Sequence, residues 1–310
     1  MTNSSFKISV VLPTYNPNPD VLEQTLNGLR NQDLPLTEWE LIIVDNASTN
    51  NFSETIDITW HINSKIVKEP KPGLTFARMK GYEQCKGELI ILVDDDNILN
   101  QEYLSKSWSL FDLNQNLGVA GGSSIGQFEV SHKEWVSEFY SLIAVRPQLH
   151  PITITTNLSK GYPEIAPIGA GMVIRRICFS DYYNYIKSDT SVIQDRTGKN
   201  LSSGGDNEIN IIALKSGYAV GCFPELVLKH IINKGRLEVE YLKRLNYHSS
   251  KSWIKLLHKH NICPWKPISK FSVPLRKLKA FFKYKPWESP AKSVKFSGAC
   301  GMFQGLSELD

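Results

Sequence analysis

The sequence predicts an α/β chain built on a mostly parallel central sheet, and three observations carry that expectation. Residues 8–12, 41–44 and 89–93 are short, wholly apolar runs, as expected of strands covered on both faces. Stretches with helical spacing separate them, the alternation that gives parallel strands joined by crossover helices. Each run also ends in a polar segment: Pro13-Thr14-Tyr15-Asn16, then residues 45–48, then Asp94-Asp95-Asp96. In open parallel sheets ligands bind beyond the carboxyl ends of the strands, so three neighbouring strands would bring these segments to one crevice.

In order along the chain, residues 8–12 form the first strand, closed by Pro13. Asn18-Pro19-Asp20 is a helix start, with a capping side chain followed by proline in the first turn. Leu22, Leu26 and Leu29 then recur at i, i+4 and i+7 as one apolar stripe. Residues 41–44 are the second strand. Residues 58–68 read as a strand and 74–85 as a helix, and a helix is expected to begin near Gln101. Further on, 118–125 and 168–175 read as glycine-containing strands, where a backbone can approach a ligand closely. Ser203-Gly204-Gly205 leads into a helix over 206–216, and 218–229 reads as two more strands. From about Gly235 the chain turns helical and basic. The expected division is a catalytic α/β domain over 1–235 and a C-terminal helical extension over 236–310.

Composition narrows the function. The 310 residues are 41% hydrophobic and carry a formal net charge of +4, too small an excess to indicate a nucleic-acid partner. The positive charge is concentrated: from Lys251 to Lys295, Glu288 is the only acid. The five cysteines are odd in number and contain no C-x-x-C pair, which argues against a disulfide framework or a zinc site and favours a reducing compartment. The N-terminal residues lack the pattern of a signal peptide, and no apolar run approaches the ~18–20 residues that span a bilayer. The expected location is therefore cytoplasmic, with the inner face of the membrane as a second option.

Asp94-Asp95-Asp96 is the sharpest local signal. Adjacent carboxylates repel, so they sit at a solvated turn or against a compensating cation. Hard divalent ions take one or two carboxylates and complete their shells with phosphate oxygens. Asp206, at a helix start, is a second candidate acid; a plain N-cap aspartate would look the same in sequence.

Five segments together resemble family 2 glycosyltransferases of the GT-A, Rossmann-like fold: VVLPTYNP at 10–17, IIVDNAS at 42–48, PGLTFARMKGYEQCKGELIILVDDDN at 72–97, PIGAGMVIRR at 167–176 and GGDNEINIIALKSGY at 204–218. The resemblance implies a nucleotide-diphospho-sugar donor, most simply a UDP-sugar, a glycan or lipid-linked acceptor, and Mn²⁺ or Mg²⁺ as cofactor. It assigns the metal to Asp96, with His230 as a further ligand, and the ribose and sugar to Asp94 and Asp95. Pro13, Thr14 and Tyr15 would pack on the base, and Asp45 and Asn46 would hydrogen-bond base and ribose. Arg78 would meet the base or diphosphate; a surface helix arginine is the alternative. Gly169 and Gly171 would let the backbone approach the transferred sugar. Asp206 would be the catalytic base, and Glu208 would orient the acceptor. Two departures stand out, Gly205 where the family usually has Glu and Asn46 where many members have an acid.

Those roles describe an inverting transfer in which a metal stabilises the departing diphosphate and Asp206 deprotonates the acceptor. A sugar nucleotidyltransferase is the rival enzyme, but the loop from Pro13 to Asp20 holds no Gly, Lys or Arg to cradle phosphates. A catalytically inactive nucleotide-sugar-binding scaffold is the non-enzymatic rival. In the C-terminal segment, Phe271, Leu275, Leu278, Phe281 and Phe282 alternate with Lys and Arg. That pattern suits either peripheral contact with anionic lipid or a helix packed on the catalytic domain.

Overall fold

The structure is a computed structural model that describes residues 6–147, 151–159, 161–188 and 204–309. Chain order runs β1 (Phe6–Thr14), α1 (Pro19–Arg30), β2 (Trp39–Asp45), α2 (Phe52–Thr55), β3 (Ser64–Lys68), α3 (Leu74–Gln84), β4 (Gly87–Leu92) and β5 (Asn97–Leu99). Then come α4 (Tyr103–Leu113), β6 (Leu117–Phe128), a 3-10 segment (Glu134–Ile143), β7 (Thr153–Thr155), β8 (Val173–Arg175) and α5 (Arg176–Ser188). The chain closes with α6 (Gly205–Lys215), β9 (Ala219–Ile232), a 3-10 turn (Lys234–Leu237), α7 (Val239–Lys259), α8 (Val273–Tyr284) and α9 (Pro290–Ser307).

One sheet in the order β3-β2-β1-β4-β8-β6-β9-β5 organises the molecule, with β7 added beside β9. The first four of these strands are parallel neighbours, so their carboxyl ends emerge along a single edge. The reason their sequences are apolar throughout is visible in the core. Val10, Leu12, Leu41, Ile43, Leu89 and Ile91 pack on the face that carries α1 and α4. Their chain neighbours Val11, Ile42, Val44, Ile90 and Leu92 pack on the other face, with Ala77 of α3, Phe179 of α5 and Ile209 of α6. Period-two alternation thus feeds two cores at once. Asn18 caps α1 by accepting from Asp20 N–H at 3.0 Å, with Pro19 at the first helical position.

The structure departs from the sequence reading in three places. Residues 58–68 yield a strand only from Ser64, because 59–63 form a turn in which Asp57 accepts from the Thr59 N–H and hydroxyl. Of 168–175 only Val173–Arg175 is a strand, and it is antiparallel to both neighbours. The preceding residues turn at Gly171, whose φ of 70° is costly for any residue with a Cβ. Residues 218–229 form not two strands but part of one long strand, β9, parallel to β6. The register between the two slips near Gly122, where a Cβ would stand 2.1 Å from the Leu226 carbonyl oxygen. Ser203 lies outside the described residues.

The C-terminal helices are attached at two points. Leu242, Leu245, Ala291 and Val294 share a third apolar core with Val136, Phe139 and Ile143 of the 3-10 segment. α7 and α9 cross closely at Gly301, where a Cβ would be 2.1 Å from the Tyr247 carbonyl oxygen. The second attachment is polar. Glu208 of α6, only 1% exposed, accepts from Lys259 Nζ at 2.8 Å and faces His260 Nε2 at 3.0 Å, both from the end of α7. Removing one partner of such a buried pair leaves the other desolvated and uncompensated. Glu208→Ala should therefore lower unfolding stability by about 3–5 kcal/mol. Glu208→Gln, which keeps an acceptor, should cost less; urea unfolding midpoints distinguish the two.

Candidate active site

Three loops at the carboxyl edge of the parallel strands are knitted together before any ligand arrives. Asn16, at the left-handed φ of 46°, accepts from the backbone of Thr49 at 2.8 Å and donates its own N–H to Ser48 Oγ at 2.9 Å. Asp45 caps its own loop by accepting from Ser48 N–H at 2.9 Å. Pro13 and Thr14 are buried at the end of β1, whereas Tyr15, the next residue, is 55% exposed.

Asn46 faces the chain, not the crevice. Its amide donates to the Glu69 and Lys71 carbonyls at 3.2 and 2.7 Å and its oxygen accepts from Gly73 N–H at 2.7 Å. That clamp sets the start of α3, the helix that carries Arg78. An aspartate could not donate to those two carbonyls, which accounts for the amide at this position.

The acidic triplet is held by a different partner at each position. Asp94 Oδ1 lies 3.8 Å from the guanidinium of Arg78, a side chain only 4% exposed. Asp95 accepts a hydrogen bond from the Thr14 hydroxyl, and its backbone carbonyl accepts from Thr25 Oγ1 at 3.0 Å. Asp96 Oδ2 accepts from Arg236 Nη1 at 3.0 Å and stands 3.3 Å from His230 Nε2. Burial and the adjacent Asp96 charge push the Asp95 carboxyl up to about 7, against the opposing pull of the Thr14 hydroxyl.

Across the crevice, Asp206 occupies the first turn of α6. Its Oδ2 accepts from Gly169 N–H at 2.9 Å. A Cβ on Gly169 would stand 2.9 Å from Arg78 Nη2 and 3.3 Å from the Asp206 Cβ, so Asp94, Arg78, Gly169 and Asp206 form one continuous lining. The two acidic positions therefore share a cleft, with Arg78 between them. The loop bearing Gly169 is fixed by Asn210, which donates to the Pro167 carbonyl at 2.8 Å. Gly171 plays another part: a Cβ there would meet Leu228 and the Tyr103 hydroxyl, so its openness serves core packing. Glu208 is likewise turned away from the cleft and into the contact with α7.

Two residues of this constellation escape sequence reading. Arg236 lies just past β9 with nothing distinctive around it, and only the fold carries it to Asp96. Asn210 left a trace, as a polar residue within the apolar run 209–214, one helical turn after Asp206.

The donor set at Asp96 suits a divalent cation. His230 Nδ1 is 3.3 Å from the Ala144 carbonyl oxygen, which places the ring proton on Nδ1 and leaves the Nε2 lone pair facing Asp96 Oδ2. An imidazole nitrogen and a carboxylate oxygen converge there, with Arg236 Nη1 bridging both at 3.0 Å. Among the described residues there is no cluster of three or more His, Cys, Asp or Glu groups able to hold a metal. A cation at this place would need further ligands from a phosphorylated substrate.

An acidic strand end, two buried arginines and an opposing helix-start carboxylate are thus gathered at the carboxyl edge of an α/β sheet. The sequence profile of Glycosyl transferase family 2 matches residues 9–183. The chain belongs to that family and is a glycosyltransferase.

It is similar to the poly(ribitol-phosphate) beta-N-acetylglucosaminyltransferase TarS of Staphylococcus aureus, at 32% identity over 112 residues, 34% of this chain and 19% of TarS. It is also similar to the poly(ribitol-phosphate) beta-glucosyltransferase of Bacillus spizizenii, at 31% identity over 213 residues, 59% of this chain and 33% of that protein. The aligned regions thus span a third or less of either relative. Residues 1–349 of S. aureus TarS, solved in complex with UDP-GlcNAc, superpose with a TM-score of 0.57 at 16% identity. That superposition covers 98% of this chain and 91% of the TarS chain and shows a shared fold.

The charge state of Asp95 generates a testable pH dependence. An unfolded aspartate titrates near ~4, whereas Asp95 in the fold titrates at about 7. The folded state then holds the extra proton, so the stability it contributes is full below the unfolded value and is lost as pH rises through the folded value. In chelator-containing buffer, the melting temperature of the wild type should fall between pH ~5 and ~8 relative to Asp95→Asn, whose amide stays neutral. Parallel curves for the two proteins would remove Asp95 from this role.

Proposed function

We propose that this glycosyltransferase moves a sugar from a nucleotide diphosphate donor, a UDP-sugar by the analogy of the UDP-GlcNAc complex of TarS, to a hydroxyl of a glycan or lipid-linked glycan, with inversion. Its setting would be polysaccharide or glycolipid synthesis. The observation that carries the reading is the Asp94–Arg78–Gly169–Asp206 lining, which puts a buried cation between an acidic donor side and a lone carboxylate opposite.

In this mechanism Tyr15 stacks on the nucleobase while Asp45 meets base or ribose. Asp94 and Asp95 bind the ribose and sugar hydroxyls, and Arg78 offers its guanidinium to the diphosphate oxygens. Asp96 and His230 would hold Mn²⁺ or Mg²⁺. A cation there supplies Lewis-acid stabilisation of charge on the leaving diphosphate. Asp206 accepts the proton of the acceptor hydroxyl as its oxygen bonds to the anomeric carbon. The carbon–oxygen bond to the diphosphate breaks on the opposite face, and the electron pair leaves with the phosphate. Gly169 N–H holds Asp206 Oδ2 and Asn207 N–H holds Oδ1, so the carboxylate is oriented at both oxygens. One base opposite the leaving group makes the transfer a single displacement, which inverts the anomeric centre.

Two outcomes test this. Asp206→Asn should lower transfer by about 10²–10⁴-fold, the usual worth of a general base, with donor binding by calorimetry nearly unchanged. Wild-type turnover would exclude Asp206 as the base. Asp96→Asn and His230→Ala should each weaken Mn²⁺-dependent UDP binding by about 10–100-fold while leaving metal-free UDP binding within a few-fold, read by titration with and without Mn²⁺. Equal Mn²⁺ dependence in wild type and variants would place the cation elsewhere.

A further inference from the structure

Between Trp265 and Trp287 the chain carries seven Lys or Arg and no Asp or Glu. Seven of the fifteen exposed large hydrophobic side chains among the described residues fall in the same segment. α8 lies at its centre and packs on α9 through a narrow stripe: Val273 and Ala280 are buried, Lys277 and Tyr284 half-buried, at i, i+4, i+7 and i+11. Leu275, Leu278 and Phe282 recur at i, i+3 and i+7 on the opposite side of that helix and are 57%, 53% and 63% exposed. Phe271 in the turn before α8 is 95% exposed and Trp287 just after it 58%. The helix therefore has two apolar faces, a small-residue face spent on α9 and a large-residue ridge turned outward. Arg276, Lys279 and Lys283, also at i, i+3 and i+7, run along one flank of the ridge.

We propose that this ridge is a docking surface for an anionic phospholipid bilayer, its leucine and aromatic side chains entering the headgroup–acyl boundary and its basic flank meeting lipid phosphates. The chemistry matches in both parts: hydrocarbon lies behind phosphate in a bilayer as the apolar ridge lies beside the basic flank. A second copy of the chain fits less well, because a two-fold contact through this face would set one basic flank close to the other. At 12 residues α8 lies on a bilayer and does not cross it, and no helix among the described residues is long and apolar enough to cross one. The surface is independent of the donor chemistry, so each reading can fail without the other.

The test is co-sedimentation of the full chain with vesicles of phosphatidylglycerol and phosphatidylcholine, against vesicles of phosphatidylcholine alone. Binding to the mixed vesicles should be about ten-fold stronger or more and should fall with added salt. Leu278→Glu combined with Phe282→Glu should lower it about ten-fold or more while UDP-sugar hydrolysis and the circular dichroism spectrum stay those of the wild type. Arg276→Gln, Lys279→Gln and Lys283→Gln together keep the ridge and should erase the preference for anionic vesicles. Failure to sediment with the mixed vesicles, or equal sedimentation of the glutamate variant, overturns the proposal. So does a concentration-dependent dimer that the glutamate variant abolishes, which would assign the ridge to a second copy.

Discussion

Three carboxylates stand side by side where β4 ends, and the fold around them is arranged to hold that charge in a largely buried place. No single element could do this. Arg78 from α3 meets Asp94, Thr14 from β1 and Thr25 from α1 meet Asp95, and Arg236 from the turn after β9 meets Asp96. Mutual repulsion favours protonation or exposure, and at Asp95 burial and the Asp96 charge still raise the carboxyl despite these partners. The parallel register of β1 and β4 is what puts the Thr14 hydroxyl opposite Asp95, since Val11 pairs with Leu92 and the chains leave the sheet together. Under the proposed function, a donor with two phosphates would meet a site whose positive groups already lean on carboxylates. Binding would then be an exchange of partners within a fixed charge pattern, which costs less reorganisation than assembling one.

The same constraint draws the C-terminal helices into the site. Arg236 sits between the end of β9 and α7, so a displacement of α7 would pull the guanidinium away from Asp96 and His230. The opposite end of α7 is fastened to α6 by Lys259 and His260 on Glu208, two residues beyond Asp206. Both halves of the cleft therefore depend on one helix outside the sheet. The Gly301 crossing with α9 holds that helix at close range.

The three parallel strands at residues 8–12, 41–44 and 89–93 and the helices between them were readable because their physics is local. Wholly apolar strands, capped helices and polar strand ends each leave a mark within a few residues, and parallel pairing then follows from the alternation with helices. What lay beyond reading was tertiary. The antiparallel β8 and the length of β9 follow from partners far away in sequence, and the turn before β8 is made by Gly171 packing against Tyr103, 68 residues earlier. In the site, the residues singled out by the family resemblance fall into local contacts, Arg78 with Asp94, His230 with Asp96 and Gly169 with Asp206. Arg236 needed the fold to reveal it. Glu208 shows the opposite hazard: an acid in the first turn of a helix looks functional in sequence, yet its side chain is engaged on the far side with α7.

Gly205, where the family usually carries Glu, bears on how Asp206 keeps its direction. A neighbouring carboxylate would repel Asp206 and compete for the same cations. Here that competition is absent, and direction comes from a neutral donor, the Gly169 N–H, on a loop that Asn210 ties to α6 through Pro167. Asn210 also lies one turn after Asp206 on the same helix, so Asp206 and its supporting loop are tied to one element. A backbone N–H cannot be lost by titration, and here two of them hold the carboxylate, Gly169 N–H on Oδ2 and Asn207 N–H on Oδ1 at 3.0 Å, leaving the second lone pairs to meet a hydroxyl. In a cleft whose other wall is crowded with negative charge, Asp206 is thus oriented by backbone dipoles on its own side, and the buried Arg78 stands between it and Asp94.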